Sequence, residues 1–366
     1  MFAMTERERE ILERIRQDPL IPQQALADQL GISRSAVAGH IMNLMQKGLI
    51  IGKGYVLAQK SYAVVIGGAN MDIAGSTTSA LRFSDSNPGT VRSTPGGVAR
   101  NIAENLARLG CDCRLISAFG DDAHGRMLIE STRAAGVDLS PSLILPDAAT
   151  STYLSVHGPD GDMAIAVNDM GILDRLTPER LAPQRDLLRH AALIVADTNL
   201  GEDALAWIFA NRGDRPVFVD TVSAFKAERI RPWLSHIHTL KPNRLEASQL
   251  SGLPFDSREQ APAVADWFHR AGVNQIILSG GANGLYYSNG ITRGWMNPPH
   301  VDIVSAEGAG DALMAGLAYG CLQQHTLTES VRFALGCAAL TLTSDKNNHP
   351  ALSQAVVDSL LTKCLA

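Results

Sequence analysis

Residues 62–366 predict an α/β fold, a mostly parallel sheet flanked by helices with a small β lid. Three observations lead there. Apolar runs of strand length alternate with helical patterns along this whole stretch. The chain is 45% hydrophobic and only 19% charged, which supplies a large core and argues against general disorder. Its 366 residues are too many for one small domain, and the first sixty follow a different pattern from the rest.

Residues 1–58 read as a helical headpiece. Ile11, Leu12 and Ile15 recur at helical spacing between Thr5 and Arg16, and Thr5 with Glu8 makes a capping box ahead of them. Pro22 to Leu30 is a second short helix, stopped by Gly31. Ser33 caps a third helix, Arg34 to Gln46, and Leu49 to Leu57 follows as a hairpin with Gly52-Lys53-Gly54 at its tip. Helix, helix, glycine turn, helix and two-stranded wing is the winged helix-turn-helix order. The segment LADQLGISRSAVAGHIMNLMQKGLI resembles DNA-binding winged-helix domains of bacterial regulators. That resemblance implies a third helix in the major groove, Arg34, Ser35 and His40 facing bases or phosphates, and Lys53 touching the backbone. Eight Lys/Arg against six Asp/Glu in residues 1–60 is a modest charge signal. A small helical protein-interaction domain is the alternative.

A short linker, Ala58 to Ser61, leads into a buried strand, Ala63 to Ile66, closed by Gly67-Gly68. Further strands are expected at Leu115–Phe119, Leu193–Ala196, Val217–Asp220, Thr239–Lys241 and Gln275–Ser279, with helices between them such as Ala99–Leu109 and Leu205–Ala210. In such sheets ligands sit outside the carboxyl ends of the strands. Two stretches break the alternation. Ser76 to Thr94 is polar and turn-rich. Thr150 to Asp169 reads as two strands, Ser151–Val156 and Met163–Val167, joined by Gly158-Pro159-Asp160-Gly161. Their apolar/polar alternation suits a small sheet with one wet face. A β lid from about 73–95 and 150–170 is the reading, and an edge hairpin of the main sheet is the alternative.

The chemistry concentrates in SAEGAGDALMAG, residues 305–316. Gly308-Ala309-Gly310 carries almost no side chain and precedes a helical segment, Ala312 to Leu322. Bare amides at a helix start form an anion site. Asp311 there is either a helix cap or a general base beside the anion. As a base it would take the proton of a hydroxyl attacking a γ-phosphate, while the Gly308, Ala309 and Gly310 amides hold the developing charge.

Three companion motifs accompany it, Asn70-Met71-Asp72, Gly96-Gly97-Val98-Ala99-Arg100-Asn101 and Asn243-Arg244-Leu245-Glu246. Together, in this order across residues 62–366, they resemble the ribokinase-like (PfkB) family of carbohydrate and nucleoside kinases. There is no GxxxxGK[ST] phosphate loop, and Gly67-Gly68 lacks dinucleotide-fold spacing. The resemblance implies an ATP-dependent kinase. Asp72, helped by Asn70, would accept sugar hydroxyls; Gly96 and Gly97 would let the backbone approach the sugar; Asn101 would bond a ring hydroxyl. Asn243 would lie beside the nucleotide phosphates, and Glu246 would hold Mg2+ mostly through water. Ser279, Gly281 and Gly284 resemble the nucleotide-binding turn, and Asn347 lies near where the family covers the adenine. The stretches DSNPGTVRSTPGGVARNIAENLARLG, AIAVNDM, VADTNL, FVDTVSAFK and IHTLKPNRLEASQLSG are similar to the nucleoside branch of the family that phosphorylates the 5′-hydroxyl of pseudouridine. Asn168 and Asp169 would then contact the base from the lid.

Three positions depart from the family pattern. Ser305 stands six residues before Asp311, where relatives often carry Asp or Asn, which puts activation by K+ in doubt. Glu307 stands where Thr or Asn is usual. Like charges about 5 Å apart cost on the order of 3 kcal/mol at an effective dielectric near 20, so Glu307 is expected to point to solvent. Thr221 stands where relatives often have Pro, with little consequence expected.

A net charge of −5 excludes a general polyanion binder. Residues 1–20 lack the apolar core of a signal peptide, no apolar run reaches membrane-spanning length, and five cysteines without a CxxC pair suit reduced thiols. Cys111 and Cys113 read as buried strand cysteines rather than metal ligands. A cytoplasmic protein without a membrane partner, acting as a homodimer, is expected. Alternatives left open are a kinase of another nucleoside or pentose, and a transcription regulator using the fold as a ligand sensor.

Overall fold

The computed structural model describes residues 4–52 and 61–363, and the chain divides into two units, residues 1–61 and 62–366. The first unit holds α1 (Glu6–Gln17), α2 (Gln23–Leu30) and α3 (Arg34–Gln46). Thr5 Oγ1 accepts from Glu8 N while Glu8 Oε2 accepts from Thr5 N, a reciprocal cap of the sort that contributes about 1 kcal/mol. Gly31 closes α2 at φ 62° and Ser33 Oγ caps α3. Ile11, Ile15, Leu26, Val37, Leu44 and Ile50 make the core of this unit. Glu8 is buried and meets Lys47 Nζ at 2.7 Å, which answers its charge. Arg34 and Ser35 lie exposed in the first turn of α3, and His40 is half-buried. Lys53 and most of the expected wing lie outside the described residues.

The strands of the second unit are, in chain order, β1 (Tyr62–Ile66), β2 (Asn70–Thr77), β3 (Gly89–Gly96), β4 (Asp112–Ile116), β5 (Ala118–Gly120), β6 (Leu143–Leu145), β7 (Thr152–His157), β8 (Met163–Asp169), β9 (Leu193–Asp197), β10 (Val217–Asp220), β11 (Thr239–Lys241), β12 (Gln275–Ser279), β13 (Leu285–Ser288) and β14 (Arg293–Met296). Eight of them form the main sheet in the order β14-β13-β12-β11-β10-β9-β1-β4. From β4 to β12 every pair is parallel, and β13 and β14 complete the edge antiparallel. The residues of β1, β9, β10 and β11 are all buried, as helices on both faces require. One core cluster therefore lies on each face, Val64, Ile66 and Ile194 on one and Val65, Leu115 and Val195 on the other.

The expected strand Leu115–Phe119 is in fact two, β4 and β5. The chain turns at Ser117, whose hydroxyl donates to Gly67 O at 2.7 Å. The helix after Gly308 starts at Ala309 rather than Ala312.

A separate sheet, β3-β2-β7-β8, forms the lid. It is no edge hairpin of the main sheet. The polar, turn-rich stretch assigned to the lid contains the end of β2 and most of β3, because its Ser, Thr and Arg residues pair along an open surface instead of filling a core. In register, Asp72 lies beside Thr94 on one side and Tyr153 on the other, and Tyr153 lies beside Asn168. Alternation then puts Val91, Leu154, Val156, Ile165 and Val167 on the opposite face. Val91, Leu154, Ile165 and Val167 are exposed there.

Candidate active site

Residues at the carboxyl ends of the strands converge with the start of the helix α4 (Val98–Arg108) and with the Ala309–Leu322 helix. Each strand end carries one polar group past its apolar run. They are Asp197 on β9, Asp220 on β10 and Lys241 on β11. Asp197 is fully buried and its carboxylate accepts from Gly68 N, Ala99 N and Asn199 N, each at 2.9 Å. It thereby ties the turn after β1 to the start of α4. Burial pushes its carboxyl up to about 6, against those backbone donors.

Asp311 sits at the third position of its helix with part of its surface open. Gly308, not Asp311, is the N-cap, and no side chain caps this helix. The Asp311 carboxylate turns to Asn101, whose Nδ2 donates to Oδ2 at 2.8 Å. Burial, with Asp220 adding, pushes Asp311 up to about 8, opposed by the Asn101 hydrogen bond and the Lys241 charge. Gly308 adopts φ 72°, and a Cβ there would collide with the Asn347 carbonyl. Only glycine lets that backbone come so close.

The acceptor motifs meet this loop from the other side. Asp72 Oδ1 accepts from Asn70 Nδ2 at 2.6 Å and Oδ2 from Asn347 Nδ2 at 2.9 Å. Burial raises the Asp72 carboxyl above its ordinary range, and the Glu307 charge adds to it. A Cβ on Gly96 would fall on the Asp72 carboxylate, and Gly97 at φ 100° packs its backbone on Ala69. The sequence reading puts Asn347 near the adenine and Asn101 on a ring hydroxyl. In the structure Asn347 donates to Asp72 and its carbonyl backs the Gly308 turn, while Asn101 stands between Asp311 and Arg100. Arg100 Nη1 donates to Asn101 Oδ1 at 2.8 Å, which leaves the Asn101 amide hydrogens for Asp311. Arg100 also pairs with Glu104 and donates to Asn348 Oδ1 at 2.9 Å.

On the nucleotide side, Asn243 and Glu246 cap the Arg244–Ser251 helix reciprocally. Glu246 accepts from Asn243 N at 2.8 Å and Asn243 Nδ2 at 2.7 Å, and from the Thr221 hydroxyl. Burial raises Glu246 above its ordinary range, opposed by Thr221. Thr221 therefore has a consequence that the sequence reading does not foresee, since it holds the Glu246 carboxylate. The next residue, Val222, adopts φ 57°, a strained conformation for a β-branched side chain, and its N–H donates to Asp220 Oδ1. Ser279 bridges to Asn243, which brings the turn with Gly281 and Gly284 beside this motif. Among the described residues no three His, Cys, Asp or Glu groups cluster as a metal site. Glu246, with its oxygens already hydrogen-bonded, suits a cation that keeps its own waters.

Glu307 is exposed, and its N–H is held by Ser305 Oγ at 3.2 Å. Asn168 and Asp169 lie exposed at the end of β8, away from the anion loop motifs in sequence and in hydrogen bonding; Asp169 only closes a turn onto Gly171 N. Cys113 is buried in β4 and Cys111 half-buried, both as free thiols. No helix among the described residues is long and apolar enough to cross a membrane.

Residues 60–354 match the family model described as pfkB family carbohydrate kinase, and residues 4–51 match one described as winged helix-turn-helix DNA-binding. The chain is 46% identical over 312 residues to the pseudouridine kinase of Escherichia coli K12, covering 84% of this chain and all of that one. It is 45% identical over 351 residues to an uncharacterized sugar kinase of the same organism, covering 96% of this chain and 97% of the relative. Among solved structures, a carbohydrate kinase from Agrobacterium tumefaciens superposes with a TM-score of 0.74 at 28% identity, covering 83% of this chain and 97% of that one. Arabidopsis thaliana ribokinase with ribose and ATP gives 0.76 at 23% identity over 83% of this chain and 99% of its own, a likeness of fold.

Proposed function

The chain belongs to the pfkB family of carbohydrate kinases, phosphotransferases to an alcohol acceptor, and from that premise we propose that it phosphorylates the 5′-hydroxyl of pseudouridine with ATP. The observation that carries this reading is the pair of hydrogen bonds that bring distant motifs to one point, Asn101 to Asp311 and Asn347 to Asp72. The name of the 46% identical relative supports pseudouridine as the acceptor.

On this reading Asp72 accepts hydrogen bonds from the ribose hydroxyls and Asn70 completes that site. The 5′-hydroxyl gives its proton to Asp311 as its oxygen bonds to the γ-phosphorus. The bond from that phosphorus to the β,γ-bridging oxygen breaks, and its electron pair leaves with ADP. The Gly308, Ala309 and Gly310 amides receive the charge on the transferred group. Mg2+, when bound, screens the phosphate charge, and Glu246 and Asn243 are the residues that would orient it and its waters. Ser279, Gly281 and Gly284 line the nucleotide side. Asn168 reaches the base from the lid, with Tyr153 beside it and Asp72 on the same face, whereas Asp169, beside Thr152 in register, falls on the opposite face and is set aside as a base contact. The Ser305 hydroxyl has no charge to offer K+.

The headpiece binds DNA through α3, with Arg34, Ser35 and His40 toward the duplex and Lys53 from the wing. The exposed apolar face of the lid, Val91, Leu154, Ile165 and Val167, supports a homodimer joined there.

The test is ATP consumption by full-length protein across nucleosides and pentoses, with and without K+, beside Asp311→Asn. Pseudouridine-dependent turnover lost in the variant is expected. Turnover with another nucleoside or pentose in its place overturns the acceptor. No turnover with any alcohol leaves the chain a ligand-sensing regulator.

A further inference from the structure

We propose that the buried Lys241 ammonium is the fixed cation of this active site, a positioning residue acting through the Gly308–Gly310 loop on the phosphoryl group in transfer. The inference rests on the kinase reading above and adds a residue that this reading leaves unused. Lys241 ends β11, just ahead of Pro242 and Asn243. Its side chain is 8% exposed and runs beneath the anion loop. A Cβ placed on Gly310 would stand 3.6 Å from Nζ. That is ordinary contact distance, so the ammonium lies directly against the Gly310 backbone.

Asp220 is the close partner of Nζ among the described residues, its Oδ2 at 3.0 Å. At that distance one ammonium hydrogen serves the carboxylate. An ammonium carries three donors. Buried and paired with one oxygen, Lys241 keeps hydrogens to spare, and they lie under the loop that faces the transferred charge. The strained Val222 backbone fixes Asp220 by its other oxygen, Oδ1, at 3.0 Å, so the pair is held from outside the loop. The Asp220 carboxylate at 3.0 Å answers the buried ammonium. It is a cation at neutral pH.

The site needs one. Asp197 and Asp220 at the strand ends are joined by Glu246 and Asp311 from the first turns of two helices, and a triphosphate adds further negative charge. Positive charge already in place where charge develops is the most effective electrostatic aid to transfer. The helix dipole at Gly308–Gly310 supplies part of it, and Lys241 supplies a full unit.

Two substitutions separate this role from mere packing. Lys241→Met and Asp220→Asn break the same ion pair, so structural damage is common to both. Their effects on Asp311 are opposite in sign. Asp311 faces Asp220 and Asp197 on the strand ends, Lys241 below the loop, and Asn101 and Arg100 on α4. Loss of Lys241 removes a charge that favours ionised Asp311, whereas loss of Asp220 removes one that opposes it. The experiment is the pH dependence of kcat/KM in full-length protein, with whichever alcohol the wild type accepts. Lys241→Met should lower kcat about 100-fold or more and move the acid limb up by about one pH unit. Asp220→Asn should move the limb down, and Lys241→Arg should leave it in place. Limbs that move in the same direction, or a Lys241→Met enzyme with wild-type kcat, overturn the inference. If Lys241→Met does not fold by circular dichroism, a limb that fails to fall in Asp220→Asn overturns it. A wild type inactive on every alcohol refutes the kinase reading instead. The Asp311 carboxyl is then titrated by 13C NMR in the same variants, where the same opposite shifts are required.

Discussion

The main sheet and the lid of this protein are both β structure, yet they treat their residues in opposite ways. In β1, β9, β10 and β11 every residue is buried, and the polar groups at their ends are locked by backbone donors or by each other. Every residue of β8 is exposed, and Asn168 and Asp169 have few partners. A carboxylate in a packed sheet end, or on a helix start packed against it, has its charge set by its surroundings, as Asp197 and Asp311 show. A side chain on an open single-sheet lid keeps its freedom until something covers it. The proposed function assigns the chemistry to the first region and recognition of the acceptor to the second.

Four predictions sharpen or break that division. The largest effect is expected at Asp311, where replacement by Asn should reduce kcat about 1,000-fold or more, with nucleotide affinity by calorimetry little changed. Next is Thr221→Val, which removes the hydroxyl holding Glu246. A drop in kcat of about tenfold, a higher Mg2+ requirement and about 1–2 kcal/mol less stability by urea unfolding are expected. An unchanged Mg2+ titration would detach Thr221 from the cation.

Smaller, and confined to acceptor recognition, is Asn168→Ala. It should raise KM for the nucleoside about tenfold with kcat nearly kept; an equal fall in kcat would place the lid within the chemistry. Mildest is a pH effect on stability. The folded Asp311 titrates at about 8, above its ordinary 3.8, so the folded chain binds the proton more tightly than the unfolded one. The stabilising contribution is complete below about pH 4 and is lost as pH rises toward 8. Asp311→Asn should therefore melt higher than wild type at pH 8.5, and by less at pH 5. A constant difference between the two pH values would show that Asp311 is not held in its raised state.

Much of the rigid half was legible beforehand. The runs ending at Asp220, Lys241 and Ser279 coincide with β10, β11 and β12, because a continuous apolar stretch between polar ends has few other ways to be buried. The same runs carried a signal that went unused. Asp197, Asp220 and Lys241 are each the charged residue that ends a buried strand, where ligands of such sheets sit. The lid strands β2 and β3 were harder to see, since their Ser, Thr, Gly and Arg residues match a loop as well as a wet strand.

Sequence by itself determined the order of most strands and helices, the GAGD loop, the capping box at Thr5, and the family. Those depend on spacing within a few residues, and the chain carries that spacing wherever it folds. Tertiary structure alone decided partners. Asn347 meets Asp72 from 275 residues away and Asn101 meets Asp311 from 210, while Lys241 passes beneath Gly310. Such contacts arise where parallel strands end at one edge of a sheet, and no local pattern records which side chains will face each other there.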